Sequence, residues 1–187
     1  MNGRWKAAAA LLLSAGLAAP AGAIGLAAGG YGAYHIPIVQ DDAGSGALYG
    51  AKAKVGLGSI FVLEPSITWI AVGDKDHTEE DPDLEFSTKG GSIQTIGLNL
   101  NLGGFPIEPG ASLYATGGIG SYTLKPDVSY KDDETRVGYN GGLGLAIKPG
   151  ALFDIDVSGR FIVIPLDGGG SRKSVGIFAG LNFYFGA

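Results

Sequence analysis

Val175-Gly176-Ile177-Phe178-Ala179-Gly180-Leu181-Asn182-Phe183-Tyr184-Phe185 is the stretch that decides the fold. Its odd positions carry Val175, Ile177, Ala179, Leu181, Phe183 and Phe185; its even positions carry Gly176, Phe178, Gly180, Asn182 and Tyr184. A β-strand sends successive side chains to opposite faces, so this segment has one wholly apolar face. The other face mixes glycine, amide and aromatic groups. The length matches the roughly 9–11 residues that cross a bilayer as a tilted strand.

Seven further segments alternate in the same way upstream. They run over Leu26–Ile38, Ala47–Leu57, Phe61–Val72, Ser92–Leu102, Ala111–Leu124, Arg136–Ile147 and Leu152–Ile164. Turn-forming residues separate them. The connections alternate too. Those after the first, third, fifth and seventh strands are polar and mostly long: Gln40–Gly46, Asp74–Gly91, Lys125–Thr135 and Asp167–Lys173. Those after the second, fourth and sixth are the short turns Gly58-Ser59, Gly103–Gly110 and Pro149-Gly150. Outer-membrane barrels show this asymmetry, with short periplasmic turns and longer extracellular loops. The expected fold is all-β, an eight-stranded antiparallel up-and-down transmembrane β-barrel with both termini periplasmic.

The chain opens with an export pattern. Arg4 and Lys6 precede an Ala/Leu-rich run, Ala7–Leu17, and then Pro20 and Ala21-Gly22-Ala23. A charged start, an apolar stretch too short to span a membrane as a helix and an A-x-A site read as a signal peptide over residues 1–23, with the barrel domain at 24–187. No cysteine is present, which excludes disulfides and a lipid anchor through cysteine. After removal of the leader, eleven basic residues face 18 acidic ones, a net charge of −7. That balance argues against nucleic acid as a partner. Glycine stands at 34 of 187 residues without a collagen period, and in alternating strands this suggests close backbone approach inside a small barrel.

The alternation alone leaves open which face meets solvent. A water-soluble barrel would turn the apolar face inward. The aromatic residues decide against it. Tyr49, Trp69, Tyr139 and Phe161 fall near the long-loop ends of their strands, and Phe61, Phe153, Phe183 and Phe185 near the short-turn ends, all on the apolar face. Two aromatic belts at two depths are the mark of a lipid-exposed surface, whereas a soluble core has no reason to sort rings by depth. The opposite face then fills the lumen, with Lys52, Lys54, Glu64, Asp154, Asp156 and Arg160 on it. An eight-stranded barrel has an interior just wide enough for side chains, and a buried charge without a partner is costly. These residues are therefore expected to form a salt-bridge network that plugs the lumen. An ion path through them is the alternative.

Gly138-Tyr139-Asn140-Gly141-Gly142-Leu143-Gly144-Leu145-Ala146-Ile147, a tight turn, and Leu152–Arg160 with Asp156 and Gly159-Arg160 resemble the glycine-rich penultimate hairpin of the small outer-membrane β-barrel superfamily, which includes the OmpA transmembrane domain and the opacity/Ail-type surface proteins. The aromatic C-terminus resembles the signal read by the barrel-assembly machinery, although Gly186 and Ala187 follow Phe185. The resemblance implies an integral outer-membrane protein with lipid, lipopolysaccharide and the assembly machinery as partners. It leaves function open among envelope integrity or surface interaction, a narrow channel, and lipid modification.

An enzyme would need a nucleophile, a base and an orienting group. Only His35 and His77 are available, and no H-x-S pattern follows His35. No hydrolase, zinc-protease or phosphate-loop motif occurs, and no cofactor is called for. In the second long loop, Asp74, Asp76, Thr78 and Glu85 match the first, third, fifth and twelfth ligand positions of a calcium loop, but Glu79 stands where that loop needs glycine. A loose divalent-cation site there is set against a solvated acidic loop. The reading carried forward is a non-enzymatic outer-membrane barrel acting through acidic extracellular loops.

Overall fold

The structure, a computed structural model, describes residues 23–38, 44–57, 60–71, 75–78, 85–88, 91–106, 108–126, 133–166 and 169–185. The proposed leader, residues 1–23, lies outside them except for Ala23, where β1 begins. The strands are β1 (Ala23–Pro37), β2 (Gly46–Leu57), β3 (Phe61–Ala71), β4 (Lys75–Thr78), β5 (Glu85–Thr88), β6 (Gly91–Gly103), β7 (Gly110–Pro126), β8 (Glu134–Lys148), β9 (Phe153–Pro165) and β10 (Ser171–Phe185). Eight of them close an antiparallel barrel in the order β1-β10-β9-β8-β7-β6-β3-β2, each paired with its neighbours along the barrel. Closure of β1 on β10 leaves this sheet no free edge, which a bilayer requires.

The strands outrun the sequence expectation at most ends. β7 reaches Pro126 and β10 begins at Ser171, because ladder pairing continues past the apolar stretch that marks the strand in sequence. One connection differs in kind. The second long connection, read from sequence as a polar loop, carries a separate two-stranded hairpin formed by β4 and β5.

Register fixes the tilt. Stepping from partner to partner, Leu26, Val55, Leu63, Leu100, Gly117, Gly141, Phe161 and Val175 lead back to β1 at Ile36, ten residues beyond the start at Leu26. That stagger forces the strands to lean against the barrel axis, as closure of a small barrel demands. The lean places outward-facing Tyr34, Tyr49, Trp69, Tyr139 and Phe161 at one level near the long loops. Phe61, Phe153, Phe183 and Phe185 lie at another, near the short turns. Tyr49 stacks on Trp69 with ring centroids 5.6 Å apart, and Phe153 meets Phe183 at 6.4 Å. Between the belts the outside is aliphatic, with Leu98, Leu100, Leu143, Ile155, Val157 and Leu181 exposed.

The glycines explain how large rings fit inside. A Cβ on Gly144 would lie 2.2 Å from the Tyr114 ring, one on Gly50 2.6 Å from the Tyr31 ring and one on Gly138 2.6 Å from the Tyr122 ring. Each of these rings lies flat over a neighbouring strand that offers it no side chain. Gly103 and Gly104 serve differently. Their φ angles of 91° and 77° belong to the left-handed region, and they turn the β6–β7 connection inward.

Candidate functional site

Among the described residues, polar side chains converge in the lumen, which has two halves. Next to the short turns, β9 supplies Asp154 and Asp156, β2 supplies Lys52 and Lys54, and β3 supplies Glu64. Their period-two spacing turns all of them inward. Asp156 Oδ2 accepts from Lys52 Nζ at 2.9 Å and lies 2.7 Å from Lys54 Nζ, and its Oδ1 accepts from the Tyr114 hydroxyl at 2.5 Å. Asp154 accepts from Lys54 at 3.3 Å and from Asn182 and the Tyr184 hydroxyl, both at 2.5 Å. Glu64 faces Lys52 at 3.3 Å and Arg160 Nη2 at 2.8 Å, and it accepts from Asn99 at 3.2 Å and Asn101 at 3.4 Å. Lys54, Glu64 and Asp154 are 0% exposed, so each charge is stable only because it is paired and hydrogen-bonded.

This end is capped as well as filled. The β6–β7 connection brings Phe105 edge-on to Tyr184 at 5.0 Å, over the space that a Cβ at Gly25 would occupy. Lys54 also donates to the Gly104 carbonyl at 3.3 Å. Lys148, buried, sits 4.0 Å from the centre of the Tyr184 ring.

Next to the long loops the lumen changes character. Leu48, Ile70, Ile93, Tyr122, Ile162, Ile164 and Phe178 pack together there, with Tyr31, Ala33 and Leu124 against them. These residues share the inward parity of the charges, so at this end apolar side chains dominate the inward face. Arg160 stands at the boundary, its guanidinium 5.0 Å from the Phe178 ring centre.

Lys52, Lys54, Glu64, Asp154, Asp156 and Arg160 thus come together in one cluster. Tyr114, Asn99, Asn101, Asn182 and Lys148 belong beside them and were not singled out in the sequence. Continuing the even-position register of β8 past Gly144 reaches Lys148, and that of β10 gives Asn182. Tyr114 had no such signal, because the faces of its glycine-rich strand do not separate by polarity. His35 faces inward and is 7% exposed.

Asp76, Thr78 and Glu85 stand on the β4–β5 hairpin, with Thr78 directly opposite Glu85. Asp74 lies outside the described residues, among which no group of three metal-ligating side chains converges.

The family model for the outer membrane protein beta-barrel domain matches residues 7–184. Among solved structures, Neisserial surface protein A is similar with a TM-score of 0.69 at 14% identity, over 88% of this chain and 99% of that one. The N-terminal barrel of Pseudomonas aeruginosa OprF gives 0.53 at 14%, over 85% and 97%. Ail, the attachment invasion locus protein of Yersinia pestis, solved with the heparin analogue sucrose octasulfate, gives 0.51 at 17%, over 86% and 97%. At these identities the likeness is one of fold. No curated protein matches the sequence significantly.

Proposed function

The chain belongs to the outer membrane protein beta-barrel domain family, and from that premise we propose that it is a non-enzymatic barrel with a sealed lumen, serving envelope integrity or surface interaction through its long-loop end. The observation that carries this reading is the double closure of the lumen. An ion would have to displace the pairs around Asp156 and then cross the aliphatic layer of Leu48, Ile70, Ile93 and Ile162. The first step strands buried charges and the second strips water from the ion. A narrow channel fits neither half.

The lipid-facing wall between the two aromatic belts is the membrane contact, with outer-membrane lipid and lipopolysaccharide as its neighbours. Residues 1–23 serve as the cleaved export signal, the barrel-assembly machinery inserts the chain, and both termini face the periplasm. The long connections carry Asp41 and Asp42, Asp74 to Glu85, and Asp127 to Glu134. So acidic a rim suits a basic partner or cation-bridged phosphates, in contrast to the sulfated ligand with which Ail was solved.

The test is the SDS-gel mobility of the outer-membrane fraction, boiled against unboiled. A closed barrel resists SDS unheated and runs as a compact species. A heat-dependent shift in that fraction is expected. Recovery as a soluble periplasmic protein without a shift would overturn the membrane reading, and altered lipid A in overexpressing cells would overturn the non-enzymatic one.

A further inference from the structure

Within the lumen lies a cavity of about 30 Å³, bordered by Thr68, Thr95, Asn99, Asn140 and Arg160 on its polar side and by members of the apolar cluster on the other. A water needs roughly 10–15 Å³ on this measure, so the space takes one or two. β6 leaves room for it at Gly97, which borders the cavity between the inward residues Thr95 and Asn99.

The hydrogen-bond order around the cavity has a direction. An ionised Glu64 can only accept, so Asn99 turns its Nδ2 toward it at 3.2 Å. Asn99 Oδ1 is then the acceptor left for Asn140, whose Nδ2 donates to it at 2.9 Å. Asn140 ends the relay with Oδ1, a buried acceptor without a protein partner. Thr95 Oγ1 is buried and unpartnered in the same way, and Thr95 is 6% exposed. Two polar groups with unmet hydrogen-bonding capacity border one small space, where leaving them unsatisfied is costly.

We propose that this cavity is a buried water site, its water donating to Asn140 Oδ1 and hydrogen-bonding Thr95 Oγ1. An anion is disfavoured by the acceptor that the relay leaves facing inward. A cation is disfavoured by the Arg160 guanidinium on the cavity wall, and an organic ligand by the volume. The carboxylate of Glu64 orients the site through two amides without touching it. Held by two buried polar groups, the water exchanges slowly with bulk solvent.

The experiment is a crystal structure of the refolded barrel at a resolution that shows solvent, with crystals also grown in bromide and in rubidium. A water peak within hydrogen-bond distance of Asn140 Oδ1 and Thr95 Oγ1, without anomalous signal, is expected. An empty cavity, or an anomalous bromide or rubidium peak there, would overturn the proposal. Oxygen-17 relaxation dispersion of water in detergent gives a second reading. Asn140→Leu, checked for folding by its heat shift, should reduce the long-lived amplitude by one water's contribution, and an unchanged amplitude would refute the site. The wild-type crystal decides the matter if that variant does not fold.

Discussion

Below Arg160, toward the short turns, ions and amides fill the lumen and tie distant strands together; above it, toward the long loops, aliphatic side chains do the filling. In the lower half, Asp156 of β9 joins two lysines of β2 and a tyrosine of β7, and Glu64 of β3 joins β2, β6 and β9. Every tie depends on direction and charge. A one-residue slip of any of these strands would turn its charge toward lipid, so this half specifies register. The upper half, around Ile70, Ile93 and Ile162, depends on volume and tolerates replacement by residues of similar size. The same wall thus fixes register with one half and fills the lumen by volume in the other.

The largest effect that separates the halves is expected from Asp156→Asn. It keeps the shape but leaves Lys52 and Lys54 short of their shared counter-charge, a loss of about 3–5 kcal/mol. The urea midpoint of the barrel refolded in lipid reads this directly; a shift worth less than about 1 kcal/mol would mean that the charges are hydrated and unimportant to closure. Ile162→Ala in the upper half is expected to cost less, about 2–3 kcal/mol, and Ile162→Leu under about 1.5 kcal/mol. Equal sensitivity to both substitutions would erase the contrast.

A glycine pair sharpens it further. Gly144→Ala pushes a methyl into the Tyr114 ring, which its bond to Asp156 holds in place, at an expected cost of about 1–3 kcal/mol. Gly159→Ala places its methyl where nothing lies within 4 Å, and it should stay within about 0.5 kcal/mol or stabilise slightly. A further effect is expected on the outer wall of the barrel. A double-mutant cycle of Tyr49→Ala and Trp69→Ala should return a coupling of about 0.5–1.5 kcal/mol for the stacked pair. A coupling near zero would leave the rings as independent contacts with lipid.

Strand number, order and the alternation of long and short connections were legible because a period of two has a single reading once turns punctuate it. The facing of β2, β3 and β9 was legible because charge and aliphatic residues separate by parity there. β1 was not, since Ala27 to Ala33 offers only small residues and one tyrosine, so neither parity stands out. The aliphatic half of the lumen was hidden for a related reason. Leu48, Ile70, Ile93 and Ile162 are apolar on the nominally polar face, and in sequence each reads as the frayed end of a strand. The β4–β5 hairpin escaped because charged residues dominate Asp74–Glu85, and composition says nothing of backbone pairing in such a segment. Which carboxylate meets which lysine depends on the ten-residue stagger of the barrel, which no local pattern encodes.

Single-channel recording in a planar bilayer shows whether the two halves together seal the lumen. The refolded, heat-modifiable barrel is expected to give a silent baseline at moderate voltage, and to stay silent when the upper half alone is made polar by Ile70→Ser with Ile162→Ser. Discrete, reproducible conductance steps from the wild-type protein would contradict the account and make the charged cluster around Asp156 a conducting path.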